Sequence, residues 1–149
     1  MPLPLVVPDA SVLLKWALQS PDEEDAARAL ALKTAWLDQS IEIAVPALWA
    51  YEVGNVLGLK QPDDAEAILG AMVDLRLPEA PISTCAAVMF RLMRDHQVTF
   101  SDAAYHALAI QRGGTMLTAD RRYLERARPA GHVAALSAWP TPGSSAGAG

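Results

Sequence analysis

The sequence predicts an α/β protein with a central, mainly parallel sheet of four to five strands and helices on both of its faces. Two observations carry the prediction. Short apolar runs alternate with segments of helical periodicity along nearly the whole chain, the pattern of strands joined by crossover helices. The first run, Leu5 to Val7, shows no polar alternation and so reads as a strand buried on both faces. At 149 residues and 52% hydrophobic, the chain is long enough for one ordinary domain with a sizeable core.

The elements follow in order. The strand "LPLVVPDA" is expected to stop at Pro8, which cannot donate to a ladder, and Asp9 follows it. "SVLLKWAL" has helical spacing. A second helix, "SPDEEDAARALALKTAWLDQ", opens with Ser20 as N-cap, Pro21 at the first helical position and Glu23 closing a capping box. Ile41 to Val45 reads as one strand, Pro46 as the start of the helix "PALWAYEVGNVLGL", and a further helix is expected from about Pro62 to Leu75. "PEAPIS" reads as a third strand, followed by the helix "TCAAVMFRLMRDH" and then by "VTFSDAAYHALAI", whose helix should end at Gly113 and Gly114. "TMLTAD" is the fourth strand, "RRYLERA" a short helix and "HVAALSA" a final edge strand. One domain is expected over residues 1–139, with a low-complexity and disordered tail, "PTPGSSAGAG", over 140–149.

Composition narrows the function. A single cysteine, Cys85, lies in an apolar run, which rules out an internal disulfide, makes a structural thiolate zinc site implausible and suits the reducing cytoplasm. The N-terminus has no basic segment ahead of its apolar run, and the long uncharged stretch after Arg128 is broken by proline and glycine. Neither a signal peptide nor a membrane span is expected. The formal charge of -5 argues against a nucleic-acid partner at first sight, but Arg112, Arg121, Arg122, Arg126 and Arg128 fall close together against only Asp120 and Glu125.

Four acids stand out. Asp9 and Asp120 each follow a strand, at the edge of an open α/β sheet where ligands gather. Both are also good N-caps for the helices that come next. Asp102 closes the pattern Thr99-Phe100-Ser101-Asp102, a capping box. Glu52 has no such structural role. It lies three residues after Trp49 and four before Val56, on the apolar stripe of its helix, where a carboxylate needs a cation or a proton. Asn55 shares that face, as a surface residue or as one that orients the carboxylate. Converging carboxylates raise one another's pKa unless a divalent cation neutralises them, and an all-oxygen set suits Mg²⁺ or Mn²⁺, not zinc.

The order "VVPDAS", "LWAYEVGNVL", "FSDAAYHALA", "LTADRRYL" resembles the PIN domain family, in particular the short VapC-like toxins of bacterial toxin-antitoxin pairs. The resemblance runs from Asp9 to about Leu124. It implies a three-layer α/β/α sandwich and a Mg²⁺-dependent endoribonuclease that leaves a 5′-phosphate and a 3′-hydroxyl. It also implies a homodimer inhibited by a small antitoxin. By position it makes Asp9, Glu52, Asp102 and Asp120 the metal-binding, catalytic acids, with Ser11 and Thr118 as supporting hydroxyls. Many relatives carry a further acid two residues after the last Asp. Here that residue is Arg122, so one firmly held ion is expected.

With the four acids assigned to a site, the remaining formal charge is only -1, and Arg121, Arg122 and Arg126 are expected to hold RNA phosphates nearby. His96, His106 and His132 show no pairing for the alternative RNase chemistry, and His106, four residues after Asp102, reads as a surface or packing residue. Trp16, Trp36 and Trp49 read as core or dimer packing. The competing reading is a PIN-fold module that binds RNA or protein without cleaving.

Overall fold

The structure, a computed structural model, describes residues 2–20 and 25–140. Its strands are β1 (Leu5–Pro8), β2 (Glu42–Ile43), β3 (Val45–Pro46), β4 (Glu79–Ala80), β5 (Thr115–Thr118) and β6 (Val133–Ala135). The central sheet has the order β2-β1-β5-β6 with every neighbouring pair parallel, and β3 and β4 form a separate parallel pair. The helices are α1 (Ala10–Leu18), α2 (Ala26–Leu37), α3 (Trp49–Lys60), α4 (Ala65–Val73), α5 (Ala86–His96), α6 (Phe100–Arg112) and α7 (Arg121–Ala127).

Both α1 and α6 pack on β1 and β5. The step from β1 to β2 and the step from β5 to β6 run in opposite directions across the sheet. Right-handed crossovers therefore put α1 and α2 on one face and α6 and α7 on the other. With α5 packed on α6, and α3 on α1 and α4, the result is a three-layer α/β/α sandwich. The burial pattern explains the sequence. Val6, Val7, Met116 and Leu117 are buried in the two central strands, and α6 is buried continuously from Ala103 to Ala109 because it lies between the sheet and α5. Trp16 and Trp49 are core residues with satisfied indoles: Trp16 donates to the Ala29 carbonyl at 2.7 Å and Trp49 to the Glu79 carboxylate at 2.6 Å. Cys85 is a buried free thiol.

Several boundaries differ from expectation, each for a hydrogen-bonding reason. Pro8 does not stop the ladder but is the last residue of β1, opposite Leu117, and the Asp9 amide still donates to the Leu117 carbonyl at 3.1 Å. The nitrogen of Pro8 faces the β2 side, as the Val6 carbonyl does, and β2 has already ended there at Ile43. The strand expected over Ile41 to Val45 divides at Ala44, whose amide bonds to Val6 while that of Val45 turns to the Pro78 carbonyl at 2.9 Å. Pro46 accordingly ends β3, and the helix expected to begin there starts at Trp49. The third strand shrinks to the two residues of β4 and is followed by a 3₁₀ turn over Ile82–Thr84. The next helix after α3 is shorter than expected, beginning at Ala65 and ending at Val73. In the second helix the described part starts at Ala26 after Asp25, and Pro21 and Glu23 of the expected capping box lie outside the described residues, as does the tail from residue 141.

As expected, α6 ends at Gly113, whose φ of +69° is the left-handed conformation glycine favours. Gly114 is needed for a different reason. A Cβ there would stand 2.7 Å from the Leu5 carbonyl oxygen and 2.9 Å from Leu5 Cγ, so β5 enters beside β1 only without a side chain. Gly114→Ala is expected to destabilise the fold by about 1–3 kcal/mol, the usual cost of overpacking, as read from the urea midpoint.

Candidate active site

The carboxyl ends of β1 and β5 are joined by one side chain. Asp9 follows β1 and caps α1, its Oδ1 accepting from the Val12 amide at 3.2 Å. Two hydroxyls complete its shell: Ser11 donates to Oδ1 and Thr118 donates to Oδ2, each at 2.5 Å. Both hydroxyls in turn accept from the loop beyond β5, Ser11 from the Ala119 amide and Thr118 from the Asp120 amide, each at 2.9 Å. The carboxylate is thus tied through two hydroxyl relays to the backbone that carries Asp120. Asp120 is exposed and caps α7, with Oδ1 accepting from the Arg122 amide at 3.0 Å and the Tyr123 amide at 3.2 Å.

Asp102 enters from the first turn of α6. Thr99 is the N-cap there and its hydroxyl accepts from the Asp102 amide at 3.1 Å, so the local start signal in the sequence is real. Glu52 enters from α3. The core stripe of that helix is Trp49, Val53 and Leu57, and Glu52 sits half-buried at its margin. Its hydrogen-bond partner is the hydroxyl of Tyr105, which donates to Oε1 at 2.6 Å. Tyr105, buried on α6 three residues after Asp102, was missed by sequence reasoning; a tyrosine among the alanines and leucine of a buried helix face, which needs a partner for its hydroxyl, was the signal. Asn55 lies exposed on α3, between Tyr51 and Leu59 on the outer face. His106 is a packing residue: it is fully buried, Nε2 donates to the Gly131 carbonyl at 2.6 Å and Nδ1 accepts from the Tyr123 hydroxyl at 2.7 Å.

The acids sense one another. Burial pushes the Asp9 carboxyl up to about 6, against three hydrogen bonds that lower it, and the charge of Asp102 adds to the rise. Glu52 is raised by burial and then by Asp102 and Asp9, against the Tyr105 bond; Asp102 is raised by burial and then by Asp120, against Thr99. Four like charges therefore form one electrostatic group at the carboxyl edge of the sheet. Among the described residues, however, no three His, Cys, Asp or Glu side chains stand close enough as they are to hold an ion. Asp9, Glu52 and Asp120 each commit at least one oxygen to a hydroxyl or a backbone amide. The donor set itself, carboxylates backed by hydroxyls, suits a hard divalent cation.

Residues 6–129 match the PIN domain family. The chain belongs to that family. The match takes in Asp9, Glu52, Asp102 and Asp120 and extends over most of the sandwich. A relative, Ribonuclease VapC3 of Pyrobaculum aerophilum, is 36% identical over 132 residues, spanning 81% of this chain and 93% of the relative. Among solved structures the PIN fold here is similar to VapBC2 from Rickettsia felis bound to a DNA fragment from its promoter, with a TM-score of 0.65 at 14% identity, over 88% of this chain and 98% of that one. FitAcB from Neisseria gonorrhoeae gives 0.63 at 19% identity, over 91% and 99%. Among the described residues no helix is long and apolar enough to cross a membrane.

The raised carboxyl of Asp9 gives a signed prediction. Its folded value of about 6 lies above the ordinary 3.8, so ionisation of Asp9 costs stability that is absent below pH 4 and complete above pH 6. In metal-free buffer Asp9→Asn should therefore be more stable than the wild type at pH 7, by at most about 3 kcal/mol, with the advantage vanishing toward pH 4. Thermal melts across that range measure it.

Proposed function

We propose that this PIN protein is a divalent-metal-dependent endoribonuclease and the toxin of a VapBC-like toxin-antitoxin pair, acting in the cytoplasm. The observation that carries the reading is the grouping of Asp9, Glu52, Asp102 and Asp120 from four separate elements around one sheet edge, at a cost in desolvation and repulsion that no structural role of Glu52 offsets. These four acids would hold Mg²⁺, or Mn²⁺ in its place. When bound, the ion supplies Lewis acidity toward a phosphodiester oxygen and a water of lowered pKa.

The chain's own residues do the rest. Ser11 and Thr118 fix both oxygens of Asp9, and Tyr105 fixes Oε1 of Glu52, so neither acid has to be ordered when substrate arrives. Asp120 commits Oδ1 to the α7 cap, which leaves its second oxygen, or the carboxylate of Asp102, to orient the attacking water and take its proton. The family resemblance implies that the P–O3′ bond breaks and the 3′-oxygen leaves with a proton, which gives a 5′-phosphate and a 3′-hydroxyl. His106 takes no part, since both of its nitrogens are committed and burial lowers its pKa.

A small antitoxin and a second copy of the chain are the expected partners. Tyr51, 82% exposed, and Leu59, 78% exposed, lie on the outer face of α3 with Asn55 between them, an apolar surface suited to such a contact. The solved VapBC2 and FitAcB assemblies share the fold.

Purified protein incubated with total RNA should cleave it in Mg²⁺ and not in EDTA, and Asp9→Asn and Asp102→Asn should each lose activity. Equal cleavage by all three proteins would refute the mechanism; RNA that is bound but left intact would favour a silent binding module. Tyr105→Phe removes one hydroxyl without changing volume. It should weaken Mn²⁺ binding, followed by calorimetry, by about 10–100-fold, and the lost bond to Glu52 should lower stability by about 1–3 kcal/mol, read separately from the urea midpoint.

A further inference from the structure

Asp120 stands between two clefts. One, of about 120 Å³, is lined by Asp25, Thr118, Asp120, Arg121 and Ser137 among others. The second, of about 150 Å³, is lined by Thr99, Asp102, Asp120, Arg122 and Arg126 among others. Arg121 and Arg122 are consecutive at the start of α7, and successive helical residues diverge by about 100° around the axis. The Asp120 cap holds this first turn through the Arg122 and Tyr123 amides, so one arginine is delivered to each side of the same carboxylate. Arg126, one turn after Arg122, shares its cleft, and its guanidinium donates to the Gln97 carbonyl at 3.0 Å, which holds it against the wall.

The chemistry of the clefts identifies what they take. Both are far smaller than the roughly 300–1,000 Å³ of pockets that enclose a drug-sized ligand, so they suit a phosphate group and not a stacked base. Each pairs a guanidinium with a hydroxyl, Ser137 in the first and Thr99 in the second, and an oxyanion accepts from both types of donor. Arg122 and Arg126, one helical turn apart, bring two guanidinium groups to the same cleft.

We propose that an extended single strand of RNA crosses the site at Asp120, its scissile phosphate over the acids. The neighbouring phosphate on one side lies in the Arg122 and Arg126 cleft, and that on the other side in the Arg121 cleft. This rests on the nuclease reading and adds to it the path of the substrate. The two sides are unequal. Asp25 and Asp120 face a single guanidinium in the Arg121 cleft, whereas Asp102 and Asp120 face two in the other, so the Arg122 and Arg126 side is the stronger anchor.

The test uses an unstructured RNA of about 12 nucleotides, within the usual span of a single-strand site, as a pool with one neutral methylphosphonate at each position in turn. In single-turnover cleavage with Mg²⁺, a neutral linkage next to the cut on either side should slow the wild type. Arg122→Ala with Arg126→Ala should abolish the penalty on one side, and Arg121→Ala should abolish the smaller penalty on the other. Loss of the same side's penalty in both variants, or of neither, overturns the proposed path. If no variant and no wild type cleaves, the nuclease reading has failed, and the salt dependence of binding to the unmodified RNA decides the path separately. Each arginine removed should then lower the slope of log K against log salt by about 0.7, with Arg128→Ala, which lines neither cleft, as the unchanged control. An unchanged slope in Arg121→Ala and Arg122→Ala overturns the inference.

Discussion

The site depends on a carboxylate that the fold buries and then surrounds with hydroxyls. Asp9 is held by Ser11 on its own helix and by Thr118 across the sheet, and the same two hydroxyls receive the amides of Ala119 and Asp120. Each hydroxyl donates once and accepts once, so its single donor is used and one of its two lone pairs is engaged. The arrangement fixes the distance between the end of β1 and the loop after β5, and through that loop it fixes where α7 begins. Removal of either hydroxyl would leave a buried carboxylate less solvated and would also release a backbone amide, so the loss would be felt at Asp120 as much as at Asp9.

A second consequence concerns the division between structural and chemical roles. Asp9 and Asp120 are genuine helix caps, and Asp102 lies in a genuine helix start. The caps place charge at the ends of three helices whose N-termini converge, so local backbone needs and site geometry are met by the same atoms. Capping consumes one oxygen of Asp120, and in Asp9 both oxygens accept hydrogen bonds that favour the ionised form against burial. Glu52 is the one acid outside this scheme, and the fold provides for it with Tyr105, from the same helix that carries Asp102.

The alternation of strands and helices was legible in the sequence because it follows from periodicity, and the acids were legible because strand ends in a parallel sheet have a known direction. What was not legible depended on distant partners. The division of the Ile41 to Val45 run at Ala44 is decided by the Pro78 carbonyl, which draws the chain away from β1. The tolerance of Pro8 and Pro46 inside strands depends on which way an absent N–H would have pointed, a matter of register. Glu52 was placed near the core by helical spacing, but its neighbour Tyr105 is 53 residues away, and the bonds of His106 to Tyr123 and Gly131 are likewise tertiary.

The relay from Asp9 to Thr118 spans 109 residues of chain. A ribosome makes the first of these residues long before the last, and the pairing of β5 with β1 is what brings them together. A growing chain therefore holds Asp9 apart from Thr118 and Asp120 until β5 has been made and has paired with β1.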